Sequence, residues 1–250
     1  CLNNKRYSKT YPFSLNNMIS INDASENSII VYFGSETSDS ISNQINAFCI
    51  HMKTNYQTYI IDLISSYASV LLIFDVPNIS HSEIKRIVRA SLAKLEKSSK
   101  KSGVSEEKQV ITLPVLYGGE NGPDLSTIAK NAGISEREVI SIHESKPYLV
   151  YAIGFAPGFA YLGEVDPKIA TPRLETPRQT VPKGAVAIAD RQTAVYPAES
   201  PGGWNIIGIC PIPMFNSLSP PYMPVSVGDT VKFESIDENQ FDKIQEKLLK

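Results

Sequence analysis

Val110-Ile-Thr-Leu-Pro-Val-Leu-Tyr117 is a run of mainly apolar and β-branched residues that predicts a β-strand. Two short helical segments follow it, and strand-like stretches separated by Pro and Gly then continue as far as Phe233. Many short strands divided by turn residues are typical of a closed or nearly closed β-barrel. Apolar and polar residues alternate on both sides of a Gly-Asp turn in Val225-Ser-Val-Gly-Asp-Thr-Val-Lys-Phe233. This pattern predicts a hairpin late in the barrel. Residues 241–249 predict a final amphipathic helix.

The composition of the chain changes between its two parts. All of the 17 prolines except Pro12 and Pro77 lie between Pro114 and Pro224. The polar segment Lys97-Ser-Ser-Lys-Lys-Ser-Gly103 precedes this region and has the composition of a linker. We therefore predict two domains, residues 1–104 with a disordered start and residues 105–250.

The first domain shows an alternation of strand and helix patterns. Residues 28–33, 58–64 and 69–74 predict strands, and apolar residues at helical spacing between 41 and 52 predict an amphipathic helix. A second helix opens with Ser80-His-Ser-Glu83, the pattern of a capping box. The order β-α-β-β-α predicts a small open α/β sandwich that serves as a scaffold or interface. With the barrel, the predicted fold class is α+β.

Bulk composition excludes several classes of protein. Hydrophobic residues make up 42% of the chain, and 24 Lys and Arg oppose 26 Asp and Glu, so nothing indicates a nucleic-acid or membrane partner. A helix-turn-helix-like stretch at 125–139 does not alter this, because its second helix carries Glu136 and Glu138. Three cysteines without metal spacing predict reduced thiols, a cytoplasmic location and no metal site.

Two features of the early barrel region could carry chemistry. The loop Tyr117-Gly-Gly-Glu-Asn-Gly-Pro-Asp124 includes Gly119 and ends at Asp124, the predicted N-cap of a helix. It is either a tight structural turn or a site where backbone amides approach an anion. His143 falls at the end of the next helix, where the helix dipole would raise its pKa. It is either a structural residue or a proton donor near neutral pH.

Aromatic and arginine motifs follow. Ile153-Gly-Phe-Ala-Pro-Gly-Phe-Ala-Tyr-Leu-Gly163 holds rings on a stiff, turning backbone and can form a pocket wall. Thr171-Pro-Arg173 and Thr176-Pro-Arg178 repeat one tripeptide, and two preset guanidiniums suit a carboxylate or phosphate. The alternative is that both arginines pair with acids such as Glu175 and Asp166. The chain's single Trp follows a Ser-Pro-Gly-Gly turn and is either a core residue or part of a site or interface.

These motifs, in this order, resemble the KipI family, which includes the B-type component of 5-oxoprolinase and subunit 1 of allophanate hydrolase. The resemblance covers most of residues 105–235 and extends to the element order of 25–98. It implies a cyclophilin-like β-barrel for the second domain. It also implies a complex with A-type and C-type 5-oxoprolinase subunits, with ATP as co-substrate, although partner subunits could bind that ATP.

The resemblance implies roles for individual residues. His143 would move a proton, and Arg173 and Arg178 would hold the substrate carboxylate or a phosphate. Substrate-binding residues would be Gly119, Asp124, Phe155, Pro157, Gly158, Phe159, Tyr161, Gly202, Gly203 and Trp204. Two other functions remain open within the same resemblance. One is inhibition of a sensor histidine kinase through the barrel surface, and the other is a subunit of an allophanate- or urea-handling enzyme.

Overall fold

The computed structural model describes residues 19–36, 38–99, 110–218 and 220–248. Its first unit is an antiparallel sheet with the strand order β1-β2-β4-β3. The strands are β1 (Ser20–Ser25), β2 (Ser28–Tyr32), β3 (Ile60–Ser66) and β4 (Ser69–Phe74). Two helices pack on the sheet, α1 (Asp39–Tyr56) and α2 (His81–Ser99). The predicted α/β sandwich is confirmed.

The sequence pattern explains most of this unit. Alternate residues of β2, Ile29 and Val31, are buried against the helices. The predicted capping box is present, because Glu83 accepts the Ser80 backbone N–H at 3.2 Å and donates its own to the Ser80 hydroxyl at 3.3 Å. Strand β1 was not predicted, since its sequence Ser-Ile-Asn-Asp-Ala-Ser is polar and largely exposed at the sheet edge.

The predicted linker is partly wrong. Lys97 to Ser99 continue helix α2, since nothing in their sequence stops the helix before residue 99. Residues 100–109, which include the predicted domain boundary at 104/105, lie outside the described residues, as does the predicted disordered start at residues 1–18. The division into two domains therefore stays a prediction.

The second unit is a closed barrel of seven strands. Around the barrel the order is β6-β13-β5-β12-β9-β10-β7, and β7 pairs with β6 to close the ring. All neighbours are antiparallel except β13 and β5. The strands are β5 (Val110–Tyr117), β6 (Tyr148–Ile153), β7 (Ala160–Gly163), β9 (Ala185–Ala189), β10 (Gln192–Val195), β12 (Asn205–Ile209) and β13 (Thr230–Ser235). The predicted barrel and the α+β class are confirmed.

The predicted late hairpin is wrong. Residues 225–229 form a turn, closed by the Asp229 N–H on the Ser226 carbonyl, and only the second arm is a strand. That strand, β13, lies between β5 and β6, so its partners are remote in sequence. Alternating hydrophobicity identified the buried face of β13 but not its neighbours.

Shorter elements decorate the barrel. A two-stranded ribbon consists of β8 (Arg178–Val181) and β11 (Ser200–Gly202). The helices are α3 (Leu125–Ala132), α4 (Glu136–Glu144) and α5 (Glu238–Leu248), with a 3-10 turn at Gly119–Asn121. Helix α5 begins three residues earlier than predicted, and Leu249 lies outside the described residues. Among the described helices, none is both long and apolar enough to cross a bilayer.

The two units share one continuous sheet. Ser66 at the end of β3 pairs with Ala152 of β6, and the Tyr67 N–H donates to the Tyr151 carbonyl at 3.1 Å. Each unit nevertheless has its own hydrophobic core, around Phe48 in the first and around Phe233 in the second. The barrel is thus joined to the first unit by strand pairing in addition to the chain itself.

The loop before α3 depends on a close backbone approach. A Cβ on Gly122 would lie 2.3 Å from the Ile207 carbonyl oxygen, which is held in strand β12. We expect Gly122→Ala to lower the free energy of unfolding by about 1–3 kcal/mol, because overpacking forces the backbone to shift. Urea unfolding measures the change.

The matched control is Gly154→Ala, where a Cβ meets no atom within 4 Å. It should stay within about 1 kcal/mol of the parent. Equal losses in the two variants would contradict the role of the close approach.

Candidate functional site

The barrel wall has two distinct faces. One hydrophobic cluster takes buried residues from all seven barrel strands, for example Val186 and Ile188 of β9, and therefore fills the interior. The intervening residues, Ala187 and Ala189, belong to a separate cluster on the outer face. Side chains alternate between faces along a strand, so neighbouring positions serve opposite sides of the wall.

The outer face carries most of the predicted aromatic residues. We call Phe155, Phe159, Tyr161, Tyr196 and Trp204 the outer aromatic cluster. Phe159 lies at its centre, with ring centroids 5.3, 4.9, 5.2 and 5.6 Å from Phe155, Tyr161, Tyr196 and Trp204 respectively. Edge-to-face and tilted rings at these distances attract one another beyond their burial. The cluster is therefore a rigid wall.

The loop between β6 and β7 presents one ring to solvent. The Gly154 N–H donates to the Phe159 carbonyl at 3.0 Å and closes the loop that contains Pro157 and Gly158. Phe155 has a φ of 73° and is 69% exposed. A non-glycine residue in this region carries backbone strain, which is common where a residue has a function. Gly158, with a φ of 85°, passes close to the backbone of Met214.

The segment around the first arginine motif is fixed from both sides. The buried Asn205 side chain donates to the carbonyls of Pro172 at 2.9 Å and Ile188 at 3.1 Å. The Leu174 N–H donates to the Gly203 carbonyl at 2.8 Å. Arg173 lies between these anchors, and its guanidinium carbon is 5.8 Å from the centroid of the Trp204 ring. This is cation–π geometry.

The second arginine motif has a different environment. Arg178 Nη2 donates to Asp124 Oδ1 at 2.7 Å, and Asp124 Oδ2 accepts the Ile206 N–H at 2.7 Å. The alternative that the arginines pair with acids is therefore confirmed for Arg178, although its partner is Asp124 and not Glu175 or Asp166. Its Nη1 is buried and has no hydrogen-bond partner among the described residues. Arg178 is thus partly neutralised, and the N–H groups of its Nη1 have no acceptor among the described residues.

The predicted cap is only half right. Asp124 occupies the N-cap position of α3, but its side chain accepts no helix N–H because it faces Arg178 and β12. Gly119 is exposed in the 3-10 turn, and no described atom lies within 4 Å of the position of a Cβ on it. The loop is held by the Gly118 N–H on the Ile207 carbonyl at 3.0 Å. It forms a structural connection into α3.

Tyr196 packs on the outer face of the barrel, and the charges of both arginines act on it. Burial raises the pKa of Tyr196, and a hydrogen bond with the Trp204 backbone and the charges of Arg173 and Arg178 oppose that rise. A Cβ on Gly202 would lie 2.3 Å from the Tyr196 hydroxyl oxygen. Gly202 therefore lets the chain that carries Trp204 pass directly over this ring, whereas Gly203 lies beside Leu174 and Pro177. The structure brings the two arginines and the outer aromatic cluster together.

His143 is not part of this surface. It is fully buried, with Nδ1 2.8 Å from the Tyr117 hydroxyl and Nε2 2.9 Å from Thr193 Oγ1. Ala194 packs in the apolar cluster on the outer face, so its neighbour Thr193 points to the interior. His143, which is bonded to Thr193, therefore lies on the interior side of β10. Burial lowers the pKa of His143 to about 3. The predicted rise in pKa is wrong, because burial outweighs the helix dipole.

Sequence reasoning missed a residue from the first unit. Tyr67, in the turn between β3 and β4, has its ring centroid 6.1 Å from that of Tyr161. Gln192 Nε2 donates to the Tyr67 hydroxyl at 2.9 Å. Tyr67 belongs to Ser65-Ser-Tyr-Ala68, the connection between two predicted strands, and no local pattern in these residues indicates that the turn meets the barrel. The first unit therefore contributes to the outer surface.

The sequence matches a family model described as "Carboxyltransferase domain, subdomain C and D" over residues 19–225. The chain belongs to this family. A relative from Bacillus subtilis (strain 168), named as the B component of 5-oxoprolinase, is 32% identical over 236 residues, which cover 90% of this chain and 96% of the relative. The resemblance inferred from the motifs is confirmed.

Solved structures share the fold of this chain. The crystal structure of TTHA0988 superposes with a TM-score of 0.71 at 30% identity and covers 84% of this chain. Our chain spans only 40% of that protein. The urea amidolyase of Kluyveromyces lactis has a TM-score of 0.69 at 20% identity, covering 92% of this chain and 15% of its own. At this identity the likeness shows the fold alone.

The described residues of this carboxyltransferase-domain chain contain no candidate metal site. Within those residues no group of three His, Cys, Asp or Glu side chains could hold a metal ion. Cys49 and Cys210 are free thiols. Burial raises the pKa of Cys49 to about 11 and that of Cys210 to about 12. Cys1 lies outside the described residues.

The buried imidazole makes stability depend on pH. As the pH falls below 6.5 the unfolded chain binds a proton at His143, whereas the folded chain does not do so until about pH 3. Stability should therefore fall with pH, by about 2 kcal/mol between roughly pH 7.5 and 5. Urea unfolding across this window should show a weaker pH dependence for His143→Gln than for the parent.

The matched control is His51→Gln, since His51 lies on helix α1 and is only partly buried. It should keep most of the parent's pH dependence. A parent chain and a His143→Gln variant with equal slopes would contradict the neutral buried state of His143.

Proposed function

We propose that this chain is a subunit of an ATP-dependent 5-oxoprolinase, which opens 5-oxoproline to L-glutamate. The observation that carries the proposal is the exposed Arg173 guanidinium stacked on Trp204. It pairs with no carboxylate of the described residues. A guanidinium held in place without an acidic partner is suited to bind a substrate carboxylate. The relatives named as B components of 5-oxoprolinase supply the substrate class.

The chemistry of the substrate matches this surface. 5-Oxoproline is a five-membered lactam with one carboxylate, so it needs a cation at one end and a flat apolar wall for its ring. Trp204, Tyr161 and Phe159 form such a wall beside Arg173. Trp204 is only 5% exposed, so its ring is a fixed part of the wall. Phe155 and Pro157 are exposed at the rim, beside the buried Gly158.

ATP would solve the difficulty of the reaction. A lactam carbonyl is a poor electrophile, and transfer of the γ-phosphoryl group to its oxygen makes the carbon open to attack by water. ADP leaves in that transfer, opening of the C–N bond of the water adduct gives γ-glutamyl phosphate, and a second water releases phosphate from it to give glutamate. The Arg178 guanidinium, whose Nη1 has no hydrogen-bond partner among the described residues, is a donor that fits an oxygen anion formed on that path. Asp124 would hold Arg178 in place rather than touch the substrate.

The complete enzyme is proposed to contain A-type and C-type partner subunits in the cytoplasm, with ATP as co-substrate. His143 has no part in the proposed chemistry, since the barrel wall separates it from both arginines. A proton carrier would therefore come from elsewhere in the complex. Gly119, exposed in its turn, is likewise not part of the proposed binding surface.

The proposal is tested by ATP hydrolysis in the assembled enzyme. With partner subunits present, 5-oxoproline should stimulate turnover, and Arg173→Ala should lower kcat/KM for 5-oxoproline about 10- to 100-fold, the loss expected for one charge-assisted hydrogen bond. The control is Arg89→Ala, an exposed arginine on helix α2. It should leave turnover unchanged.

Ligand binding can be followed separately through the only tryptophan of the chain. 5-Oxoproline should change Trp204 fluorescence in the parent and not in Arg173→Ala. Absence of stimulation by 5-oxoproline would overturn the proposal. Stimulation by allophanate instead would assign the chain to the urea-handling alternative. Kinase inhibition that persists after both Arg173 and Arg178 are changed to Ala, with no oxoprolinase activity in the parent, would favour the regulatory alternative.

A further inference from the structure

The outer surface extends across the junction between the two units. Tyr67 lies in the two-residue turn between β3 and β4, with a φ of 42°. A tyrosine in the left-handed region carries backbone strain that the surrounding contacts must maintain. Here the Tyr67 N–H is fixed on the Tyr151 carbonyl at 3.1 Å, next to the pairing of Ser66 with Ala152. The strained turn is thus anchored directly on the barrel.

The Tyr67 side chain packs on the outer face of the barrel. Its ring lies 6.2 Å from Tyr151 and 6.1 Å from Tyr161. Tyr161 in turn lies 6.0 Å from Trp204, under the Arg173 guanidinium. The pKa of Tyr161 is raised by burial and by Tyr67 and lowered by Arg173. Tyr67 contacts the Tyr161 ring directly, and Arg173 lies over its neighbour Trp204.

The Tyr67 hydroxyl can still donate its O–H to a ligand. Gln192 Nε2 donates to the hydroxyl oxygen at 2.9 Å, so this bond uses an acceptor position and leaves the O–H proton available. The side chain is half-buried, which strengthens a hydrogen bond made there relative to one in bulk water. Gln192 belongs to β10, which is held on both sides by β7 and β9. The hydroxyl is therefore positioned by the barrel.

We propose that Tyr67 is a specificity-determining residue of the site, whose hydroxyl donates to the lactam oxygen of the substrate while Arg173 holds its carboxylate. This inference rests on the proposed function. It assigns recognition of the lactam oxygen to the first unit and recognition of the carboxylate to the barrel. The preferred ligand class is then a small cyclic amide with a carboxylate on the ring.

Packing alone does not account for the hydroxyl. The ring contacts with Tyr151 and Tyr161 would be the same for a phenylalanine at position 67, and the Gln192 amide is only partly buried, so water can replace its lost acceptor. Tyr67→Phe therefore removes the proposed donor and keeps the wall. Gln192→Ala removes the group that orients the hydroxyl and keeps the hydroxyl itself.

The test uses the assembled enzyme and two ligands. L-Proline has the ring and the carboxylate of 5-oxoproline but no lactam oxygen, so it serves as the competing ligand. Tyr67→Phe should raise KM for 5-oxoproline about 5- to 10-fold, the effect of one neutral hydrogen bond. It should not alter KM for ATP or inhibition by L-proline. Gln192→Ala should raise KM for 5-oxoproline less, and the control Tyr32→Phe, on the partly exposed β2 tyrosine, not at all.

The outcomes separate this inference from the proposed function. An unchanged KM in Tyr67→Phe, or an equal loss for 5-oxoproline and L-proline, overturns the role of Tyr67 and leaves the proposed function in place if Arg173→Ala is impaired. A melting temperature for Tyr67→Phe well below that of the parent, with KM for ATP also raised, would assign Tyr67 a structural role instead. If 5-oxoproline fails to stimulate ATP hydrolysis in the parent enzyme, both proposals fall.

Discussion

Closure of the barrel is the constraint on which the rest of the structure depends. β6 pairs with β13 on one side and with β7 on the other, so the wall is continuous and every strand has one interior and one exterior face. A side chain near the wall is then either sealed in the core or placed on the outer surface. The side of the wall determines the charge state of an ionisable residue, because an ionisable group in the interior must be neutral or paired. His143 is neutral inside, and both arginines are charged outside.

The two Thr-Pro-Arg repeats show how little a local motif decides alone. Arg173 and Arg178 have the same preceding residues, yet Arg178 pairs with the carboxylate of Asp124, whereas Arg173 lies over the face of Trp204 and pairs with no carboxylate in the described part of the chain. The difference comes from tertiary neighbours. Asp124, at the start of α3, pairs with Arg178 and also accepts the backbone N–H of Ile206 in β12. One arginine is thereby bound into the scaffold, and the other keeps its charge for a ligand.

Much of the fold could be predicted because local chemistry decided it. Period-two and helical patterns located β2, β4, α1 and α2, and the Ser80–Glu83 capping box marked the start of α2. The failures are of another kind. β1 is polar because it lies at an edge, and β13 was paired with the wrong neighbour because register depends on contacts remote in sequence. The pKa of His143 depends on its burial, which helix position alone does not reveal.

The predicted division into a scaffold and a catalytic barrel fits the two hydrophobic cores but not the sheet. Strand pairing at Ser66 joins the first unit to the barrel and places the Tyr67 ring beside that of Tyr161. The Arg173–Trp204 contact lies entirely within the barrel, so it would persist if the first unit moved. The Tyr67–Tyr161 contact depends on the junction, because Tyr67 belongs to the first unit and is held on the barrel by its backbone bond to Tyr151, the pairing of Ser66 with Ala152 and the Gln192 side chain. Carboxylate binding would then be a property of the barrel alone, and selection for the lactam would require the two units to be docked.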